Sequence, residues 1–290
     1  MSNLSKKCII SGDIFITETI LTGLQQSDNI TEYIVADSNQ NRRDELSKKY
    51  KLNVVSDPIE FANDAKFIIL AFKTEDAKDI FAKLENKVNK STLIVSVIGT
   101  IAMKFIQDFF PDNQVMRLTL NPSIISGEGI GAYMIGSKIN SDAEITAQSL
   151  IEKFGNISKI DNETEFENIR NFILANTFFS YIVVKSMIEA AEKKGFSLQQ
   201  AGLIIDQILK GASRTLIKFQ IEGSEMIKEG FRNNNVTNRA IELIKDYGIY
   251  DSMERYLTTK EFQSLFFANS DNYDNDMDNL WSKNFVKLGR

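Results

Sequence analysis

The sequence predicts an α/β fold in which an N-terminal doubly wound parallel sheet is followed by a C-terminal all-helical domain. Up to about residue 120, short β-branched and apolar runs alternate with helical stretches. After Asp161 the strand patterns stop, and a long helical stretch without proline or glycine begins at Glu163. Near-continuous apolar strands separated by helices are typical of a parallel sheet that is buried on both faces.

The N-terminal half provides the elements of this sheet in order. Predicted strands cover Cys8–Ile10, Glu32–Ala36, Leu52–Val55, Lys66–Phe72, Ser91–Val97 and Gln114–Leu120. Predicted helices between them cover Ile14–Leu24, Asn41–Tyr50, Glu75–Leu84 and Ile101–Phe110. An edge strand at Gly131–Gly136, a helix at Ala143–Phe154 and a last strand at Ile157–Ile160 complete the pattern. In an open sheet of this kind, ligands bind beyond the carboxyl ends of the strands.

The C-terminal half is predicted to be helical. Glu163–Lys194 is apolar on more than one face, so we expect it to be buried inside a helical domain or at a subunit interface. Ser197 and Gln200 form a capping box for a helix that ends near Ile221. Further helices are predicted at Val236–Tyr247 and Tyr250–Phe267. The predicted domains are residues 1–160, residues 161–268 and a polar C-terminal tail of residues 269–290.

Charge and hydropathy narrow the possible partners. The chain has 290 residues and a formal net charge of -5, which gives no electrostatic reason to expect nucleic acid or an anionic membrane as a partner. The apolar run near the N-terminus is too short for a signal peptide or a membrane span. We therefore expect a cytoplasmic protein whose partner is a small molecule.

The cysteine and histidine content restricts the chemistry. Cys8 is the only cysteine and histidine is absent, which excludes an intramolecular disulfide, a multi-cysteine metal site and every histidine-dependent triad. We expect Cys8 to be a buried structural thiol, and we predict no metal site. Hydride transfer suits these limits, because the cofactor then performs the difficult step.

The segment between the first strand and the first helix occupies the position of a dinucleotide-binding loop. Such a loop reads G-x-G-x-x-G/A, and here the window runs from Gly12 to Thr17 with only the first glycine present. Ile14 stands where the pyrophosphate needs a close approach, Asp13 adds a negative charge, and Thr17 is small enough for the third position. The loop is therefore either a modified phosphate site that still uses the helix amides or a turn that no longer binds a dinucleotide.

Asp37 and Ser38, at the end of the second strand, are candidate ribose ligands. An acidic residue about twenty positions beyond the glycine loop suits the ribose 2′-hydroxyl of NAD. Arg42 and Arg43 could instead accommodate the 2′-phosphate of NADP. Alternatively, Asp37 or Ser38 caps the following helix. Both cofactors remain candidates.

Several further segments resemble the pyrroline-5-carboxylate reductase family. Phe67–Lys73 is similar to the family's "ILAVKP", and Arg117–Gly129 is similar to "RVMPNTPALVGEG", with Arg117, Asn121 and the Gly-Glu-Gly at the same spacing. Glu189–Ser197 resembles "DAGVKAGLP", and the stretch ending at Ile249 resembles "LEEGGF". The similarity covers about residues 6–258 in the same order and with matching gaps.

The resemblance implies a Rossmann-type domain that binds NAD(P)H, a helical domain that dimerises and can build larger rings, and a cyclic imine acid as substrate. It assigns cofactor contacts to Gly12, Ile14, Thr17, Asp37, Ser38, Ala71, Lys73 and Asn121. The family's "SPGGTT" loop holds the substrate carboxylate and aligns with Arg232–Thr237. Substrate binding is thereby assigned to Asn234, Asn235, Val236 and Thr237, with Thr237 as the catalytic residue.

Two main hypotheses follow for the function. The first is an NAD(P)H-dependent imine reductase that works as a homodimer or a larger homo-oligomer. The second is a pseudo-reductase, a dimeric scaffold for binding or regulation, because the family's "SGSGPAY" aligns with bulky apolar residues at Ile173–Phe179 and because Ile14 and Asn233–Asn235 also depart from the family pattern. Another dehydrogenase chemistry on the same scaffold is a third possibility.

Overall fold

The N-terminal half of the molecule is built on a single mixed sheet. The computed structural model describes residues 6–137, 140–227 and 235–259. Its strands are β1 Lys6–Ser11, β2 Tyr33–Ala36, β3 Asn53–Val55, β4 Ala65–Ala71, β5 Leu93–Ser96, β6 Gln114–Leu120, β7 Ile130–Ile135 and β8 Asn156–Lys159. They form one eight-stranded sheet in the order β3-β2-β1-β4-β5-β6-β7-β8. The strand order changes direction between β1 and β4, because β2 and β3 lie on one side of β1 and β4 to β8 lie on the other. Doubly wound sheets bind ligands at such a switch point.

Helices cover the sheet and bury it on both sides. They are α1 Ile14–Gln25, α2 Gln40–Tyr50, α3 Ile59–Ala62, α4 Ala77–Leu84, α5 Met103–Phe109 and α6 Ser141–Ile151. Along β1, Cys8 and Ile10 belong to one apolar cluster and Ile9 belongs to the other, because successive side chains of a strand point to opposite faces. The predicted doubly wound sheet is confirmed.

The position of β7 corrects one expectation from the sequence. Gly131–Gly136 is predicted as an edge strand, but β7 lies between β6 and β8, and β8 forms this edge of the sheet. β7 is antiparallel to β6, with Arg117 opposite Met134. The connection between them contains only the short 3-10 turn Pro122–Ser126, whereas a parallel return needs a crossover of a dozen or more residues.

After residue 160 the described residues form helices and no strand. These helices are α7 Glu163–Lys193, α8 Leu198–Phe219, α9 Asn235–Asp246 and α10 Ile249–Thr258, and residues 223–227 are also helical. The predicted capping box is confirmed, because the Gln200 amide donates to Ser197 Oγ at 3.2 Å and the Ser197 amide donates to Gln200 Oε1 at 3.0 Å. The last helix ends at Thr258 and not at Phe267 as predicted, because Thr259 already has an extended backbone. The predicted tail of residues 269–290 lies outside the described residues.

The chain divides into two compact units, Met1–Phe179 and Ser180–Arg290, so the division falls within α7. The predicted domain boundary between residues 160 and 161 stays a prediction. Within α7, Phe172 is 69% exposed and Ile182 is 63% exposed. By length and composition alone α7 would also suit a membrane span, but buried core helices of water-soluble proteins share these properties.

Candidate functional site

Three neighbouring strands end together at the switch point. Ser11 at the end of β1 pairs in register with Ala71 at the end of β4, and Ile10 pairs with Ala36 at the end of β2. Gly12, Asp37 and Phe72 are the next residues of the three strands, so they emerge at one edge of the sheet. The structure thereby brings together Gly12, Ala71 and Asp37, which the sequence assigned to one site.

The turn after β1 requires the one glycine that remains. The amides of Gly12 and Asp13 both donate to the Ala71 carbonyl, at 3.1 and 3.2 Å. A Cβ atom at residue 12 would lie 2.5 Å from the Cβ of Phe72, a separation that real Cβ atoms do not reach. Gly12 therefore allows the chain to turn tightly from β1 into α1 while its backbone lies against the end of β4.

Asp13 places a carboxylate at the start of α1. Its Oδ1 atom accepts a hydrogen bond from the Ile16 amide at 3.0 Å, so Asp13 is the N-cap of the helix. The N-terminus of a helix attracts anions through its unpaired amides and its dipole. Here a carboxylate of the chain already uses one of these amides. The half-buried Ile14 follows as the first helical residue, where the nucleotide-binding pattern has its second glycine.

Thr17 occupies the third position of the loop pattern and is fully buried. Its hydroxyl donates to Ser11 Oγ at 3.0 Å and lies 3.5 Å from the Ala71 carbonyl oxygen. The side chain thus fills the space between the helix and the strands and satisfies its own polar group. Ser11 is a member of the site that the sequence analysis did not name. Its signal is a polar residue at the end of a buried apolar strand, where the hydroxyl must find a partner.

Asp37 is 1% exposed and its carboxylate is turned inward. It accepts hydrogen bonds from the Ser11 hydroxyl at 2.7 Å and from the Asn39 amide at 2.8 Å. The Arg42 guanidinium adds a bidentate ion pair whose shortest distance is 2.8 Å, from Nη2 to Oδ1. The cap of α2 is Asn39, whose Oδ1 accepts from the Arg42 amide at 3.2 Å, so the expectation that Asp37 or Ser38 caps this helix is wrong. Ser38 is exposed.

Lys73 and Asn121 follow β4 and β6 at the carboxyl side of the sheet. Lys73 is half-buried and has an extended backbone. Asn121 is 6% exposed, and its Nδ2 donates to Ser123 Oγ and to Thr177 Oγ1, each at 3.2 Å. Its Oδ1 accepts from the Ile130 amide at 3.0 Å. The Asn121 side chain therefore connects β6, β7 and α7.

The Gly-Glu-Gly segment has a backbone role in the described structure. Gly127 ends the 3-10 turn with φ +76°, a conformation that favours glycine. A Cβ at Gly129 would lie 2.0 Å from the Phe154 carbonyl oxygen. Glu128 between them is exposed. The spacing of the two glycines is thus explained by the turn and by the close approach of the chain before β8.

Arg117 is a buried cation that the sequence analysis noted only as part of a motif. It is 1% exposed and forms ion pairs with Glu163, through Nη1, and with Glu167, through Nη2 at 2.8 Å. Nη2 also donates to the Gly99 carbonyl at 2.8 Å, and the guanidinium lies 4.6 Å from the centre of the Phe166 ring. These contacts attach the first turns of α7 to β6.

The remaining substrate candidates lie at the start of α9. Asn234 lies outside the described residues. Asn235, Val236 and Thr237 form the first turn of α9, but their side chains lie outside the described part of the structure. Their assigned roles stay predictions.

Comparisons with known proteins agree with these features. Residues 8–99 match the family model described as "NADP oxidoreductase coenzyme F420-dependent". Pyrroline-5-carboxylate reductase 2 of Bacillus subtilis is 25% identical over 246 residues, which is 83% of this chain and 87% of the relative. The pyrroline-5-carboxylate reductase of Synechocystis is 26% identical over 76% of this chain and 78% of its own length.

Solved structures show the same fold. The NADP-bound pyrroline carboxylate reductase of Plasmodium falciparum has a TM-score of 0.73 at 17% identity, and the alignment covers 88% of this chain and 94% of that chain. A pyrroline-5-carboxylate reductase from Coxiella burnetii has a TM-score of 0.69 at 18% identity, with 88% and 96% covered. Together with the sequence matches, they confirm the resemblance carried by the motifs: this chain is similar in sequence and in fold to the pyrroline-5-carboxylate reductases.

Proposed function

We propose that the chain is an NAD(P)H-dependent oxidoreductase that reduces the C=N bond of a cyclic imine acid or of a related amino-acid-derived compound. The observation that carries the proposal is the turn after β1. Its two amides remain bonded to the Ala71 carbonyl, and α1 still begins at the switch point of the sheet, although two of the three loop glycines are absent. The names of the relatives support the same reaction class.

The residues at the turn fit a dinucleotide in three respects and oppose it in two. Gly12 allows the close approach of β1 and β4, Thr17 fills the third position without an unsatisfied hydroxyl, and α1 supplies a helix N-terminus. Asp13 and Ile14 oppose it, through negative charge and through side-chain volume respectively. We expect a weakened but functional site, in which the diphosphate lies farther from the turn than in a loop with all its glycines.

The proposed reduction requires little acid or base catalysis from the protein's own side chains. The cofactor, when bound, supplies the hydride. A protonated imine already carries the proton that activates its carbon, so the absence of histidine is no obstacle. We propose that Lys73 and Asn121 border the nicotinamide end of the site, with Asn121 acting through the chain segments it holds. Asn234, Asn235, Val236 and Thr237 are proposed to bind the substrate, and Thr237 to donate the hydrogen bond that orients it.

The proposed assembly is a homodimer or a larger homo-oligomer of cytoplasmic subunits. Residues 1–160 serve as the cofactor domain and residues 161–268 as the helical domain. Support comes from exposed apolar side chains on the described helices of the second unit, among them Ile182, Leu203, Ile217 and Tyr250. Light scattering after size exclusion is expected to give at least twice the chain mass of 32.9 kDa, and a monomer would refute this part of the proposal.

A titration of the purified chain with NADPH and NADH tests the function, with nicotinamide fluorescence and melting temperature as readouts. We expect saturable binding, followed by oxidation of the reduced cofactor when pyrroline-5-carboxylate or another cyclic imine is added. Ile14→Gly is expected to tighten binding, whereas Ile14→Ala separates the loss of side-chain volume from the gain of backbone freedom. If no binding is detected at about 1 mM cofactor, the binding free energy is weaker than about 4 kcal/mol and the proposal is refuted.

The second candidate is a pseudo-reductase that retains the fold for binding or regulation. It is favoured by the Asp13 cap, because that carboxylate adds a negative charge at the N-terminus of α1 and already accepts from one of its amides. Under this hypothesis neither NADPH nor NADH raises the melting temperature, and Ile14→Gly does not restore binding. Under the reductase hypothesis both measurements respond to at least one cofactor.

A further inference from the structure

The loop after β5 is held by two arginines. β5 ends at Ser96, and Gly99 lies three residues farther along the chain. Arg117 Nη2 donates to the Gly99 carbonyl at 2.8 Å. A Cβ added to Gly99 would lie 2.5 Å from Nη1 and 3.3 Å from Cδ of Arg170, so the Arg170 side chain covers the glycine from α7. The absence of a side chain at residue 99 therefore leaves the room that this guanidinium occupies.

This loop lies at the nicotinamide end of the proposed site. β5 stands between β4 and β6 and is parallel to both. Lys73 follows β4 and Asn121 follows β6, and both are proposed to border the nicotinamide. The loop that carries Gly99 emerges between them at the carboxyl edge of the sheet, and Arg170 comes with it. All four residues belong to the unit Met1–Phe179.

We propose that Arg170 is a specificity-determining residue, whose guanidinium binds the carboxylate of the imine substrate together with the hydroxyl pair of Thr74 and Thr100. The inference rests on the proposed function, since it concerns the acidic group of the same substrate. It assigns that group to a side-chain cation, whereas the family resemblance implies the loop that aligns with Arg232–Thr237.

Arg170 retains donors for a second carboxylate. Its Nε and Nη2 donate to Glu167 Oε2, at 2.8 and 2.7 Å, and its side chain is 14% exposed. Within the described residues, Nη1 has no hydrogen-bond acceptor. A guanidinium carries five N–H donors in a fixed plane, so one edge pairs with Glu167 while the remaining donors are able to bind a ligand.

Two threonine hydroxyls add a further donor beside Gly99. Thr74 and Thr100 follow β4 and β5, and their Oγ1 atoms are hydrogen-bonded to each other. Two hydroxyls carry two protons, and the bond between them uses one, so the other is available to a carboxylate oxygen. Thr74 stands where the family's "ILAVKP" has its proline, so this hydroxyl is a departure of the present chain. The cation and the hydroxyl pair thus meet at one loop.

The charges at this edge suit an imine that carries its own carboxylate. Lys73 is a second cation there, and it is half-buried. Of the acidic residues that follow it, Glu75 is exposed, and Asp76 Oδ2 lies 3.7 Å from an added Cβ on Gly12 and so faces the turn after β1. A protonated imine without an acidic group would meet like charge at this end. An attached carboxylate compensates that charge next to the reacting bond.

The test compares proline with pyrrolidine by calorimetry on the full-length chain in the presence of NADP. Both compounds have the same ring, and only proline has a carboxylate. We expect the unaltered chain to bind proline about ten- to hundredfold more tightly, which is the range of a hydrogen bond to a charged group. Arg170→Met, which keeps much of the side-chain volume, should remove most of this preference, and Arg170→Lys should retain part of it.

Two further variants separate the position of the guanidinium from the stability of the fold. Gly99→Ala keeps the charge but displaces Nη1, and because Nη1 is the far end of a flexible side chain, the chain should fold and bind proline more weakly. Glu163→Gln is the matched control. It weakens an ion pair of Arg117 and leaves Arg170 in place, so it should lower the stability without changing the preference for proline.

Thr237→Val identifies the competing location of the carboxylate. If this variant loses the preference for proline while Arg170→Met keeps it, the carboxylate binds at the start of α9 and the inference is overturned. Equal binding of proline and pyrrolidine by the unaltered chain, or binding of neither, would also overturn it. Should Arg170→Met not fold, Arg170→Lys and Gly99→Ala still decide the question.

Oxidation of NADPH with pyrroline-5-carboxylate tests the proposed function separately. If the cofactor is oxidised but the preference for proline does not depend on Arg170, the inference fails while the proposed function stands. If an Arg170-dependent preference is measured and no cyclic imine is reduced, the proposed function fails while the assigned carboxylate site stands.

Discussion

Asn121 and Thr177 are joined by a buried hydrogen bond between the end of β6 and the first half of α7. Asn121 Nδ2 lies 3.2 Å from Thr177 Oγ1, and the two residues are 6% and 8% exposed. The same amide group also bonds Ser123 and Ile130, so all three contacts meet at one side chain. Thr177 lies in the segment that departs most from the family pattern. Its hydrogen bond to Asn121 gives this part of α7 a structural function of its own.

Thr177→Val should destabilise the chain by about 1 kcal/mol, because Val keeps the volume but leaves a buried Asn121 N–H with fewer acceptors. Thr177→Ser, which keeps the hydroxyl, is the matched control and should lose less. Urea unfolding measures both. A Val variant as stable as the unaltered chain would show that Ser123 alone satisfies the amide.

Asp13→Asn is expected to tighten NADPH binding about fivefold, since a unit charge about 4 Å from a phosphate costs about 1 kcal/mol even in water. Asn is as good an N-cap as Asp, so the free energy of unfolding should change little. Fluorescence titration gives the affinity and urea unfolding gives the stability. Asp13→Ala serves as the comparison, because it removes the charge and the cap together and should also lower stability. Equal affinities of Asp13→Asn and the unaltered chain would show that the phosphates bind away from Asp13.

Most of the fold follows from patterns that act locally. β-branched runs predict the buried strands because a parallel sheet covered on both faces requires them. The capping box at Ser197 can likewise be predicted from the sequence, because the two residues that form it lie three positions apart. The antiparallel direction of β7 cannot be predicted from a local pattern. Its direction depends on the short 3-10 turn after Asn121, which the sequence does not identify. The last strand is predicted at Ile157–Ile160, but its pairing outside β7 is a long-range contact that no local pattern encodes.

The candidate site is predictable in position but not in side-chain geometry. Gly12, Ala71 and Asp37 can be placed at one edge because parallel strands end together there. Whether the Asp37 carboxylate faces a ribose or Arg42 depends on the direction of one side chain, and no periodicity encodes it. Ser11 was missed for the same reason, since its importance arises from contacts with Thr17 and Asp37 that are distant in sequence.

Gly129→Ala should prevent folding or leave the chain insoluble. The added Cβ would lie 2.0 Å from the Phe154 carbonyl oxygen, and a backbone atom cannot move aside as a flexible side chain can. Gly202→Ala in α8 is the matched control, because nothing lies within 4 Å of its added Cβ and alanine is favoured over glycine in a helix by about 1 kcal/mol. The soluble yield and the melting temperature of the two variants check the contrast. A well-folded Gly129→Ala would mean that the chain before β8 can take another path.

Stability should fall as pH rises above 9, because burial raises the pKa of the Cys8 thiol from 9.0 to about 12. The folded chain keeps a proton that the unfolded chain loses, so this contribution is complete below pH 9 and is lost between pH 9 and 12. The slope from Cys8 alone is about 1.4 kcal/mol per pH unit. Burial, with a hydrogen bond to Asp28, also raises the pKa of Tyr33, which adds a second loss above pH 10. Urea unfolding at about pH 8 and about pH 10.5 measures the combined effect. Cys8→Ala lowers stability at both values but should show a smaller difference between them, and an unchanged difference would exclude the thiol as its source.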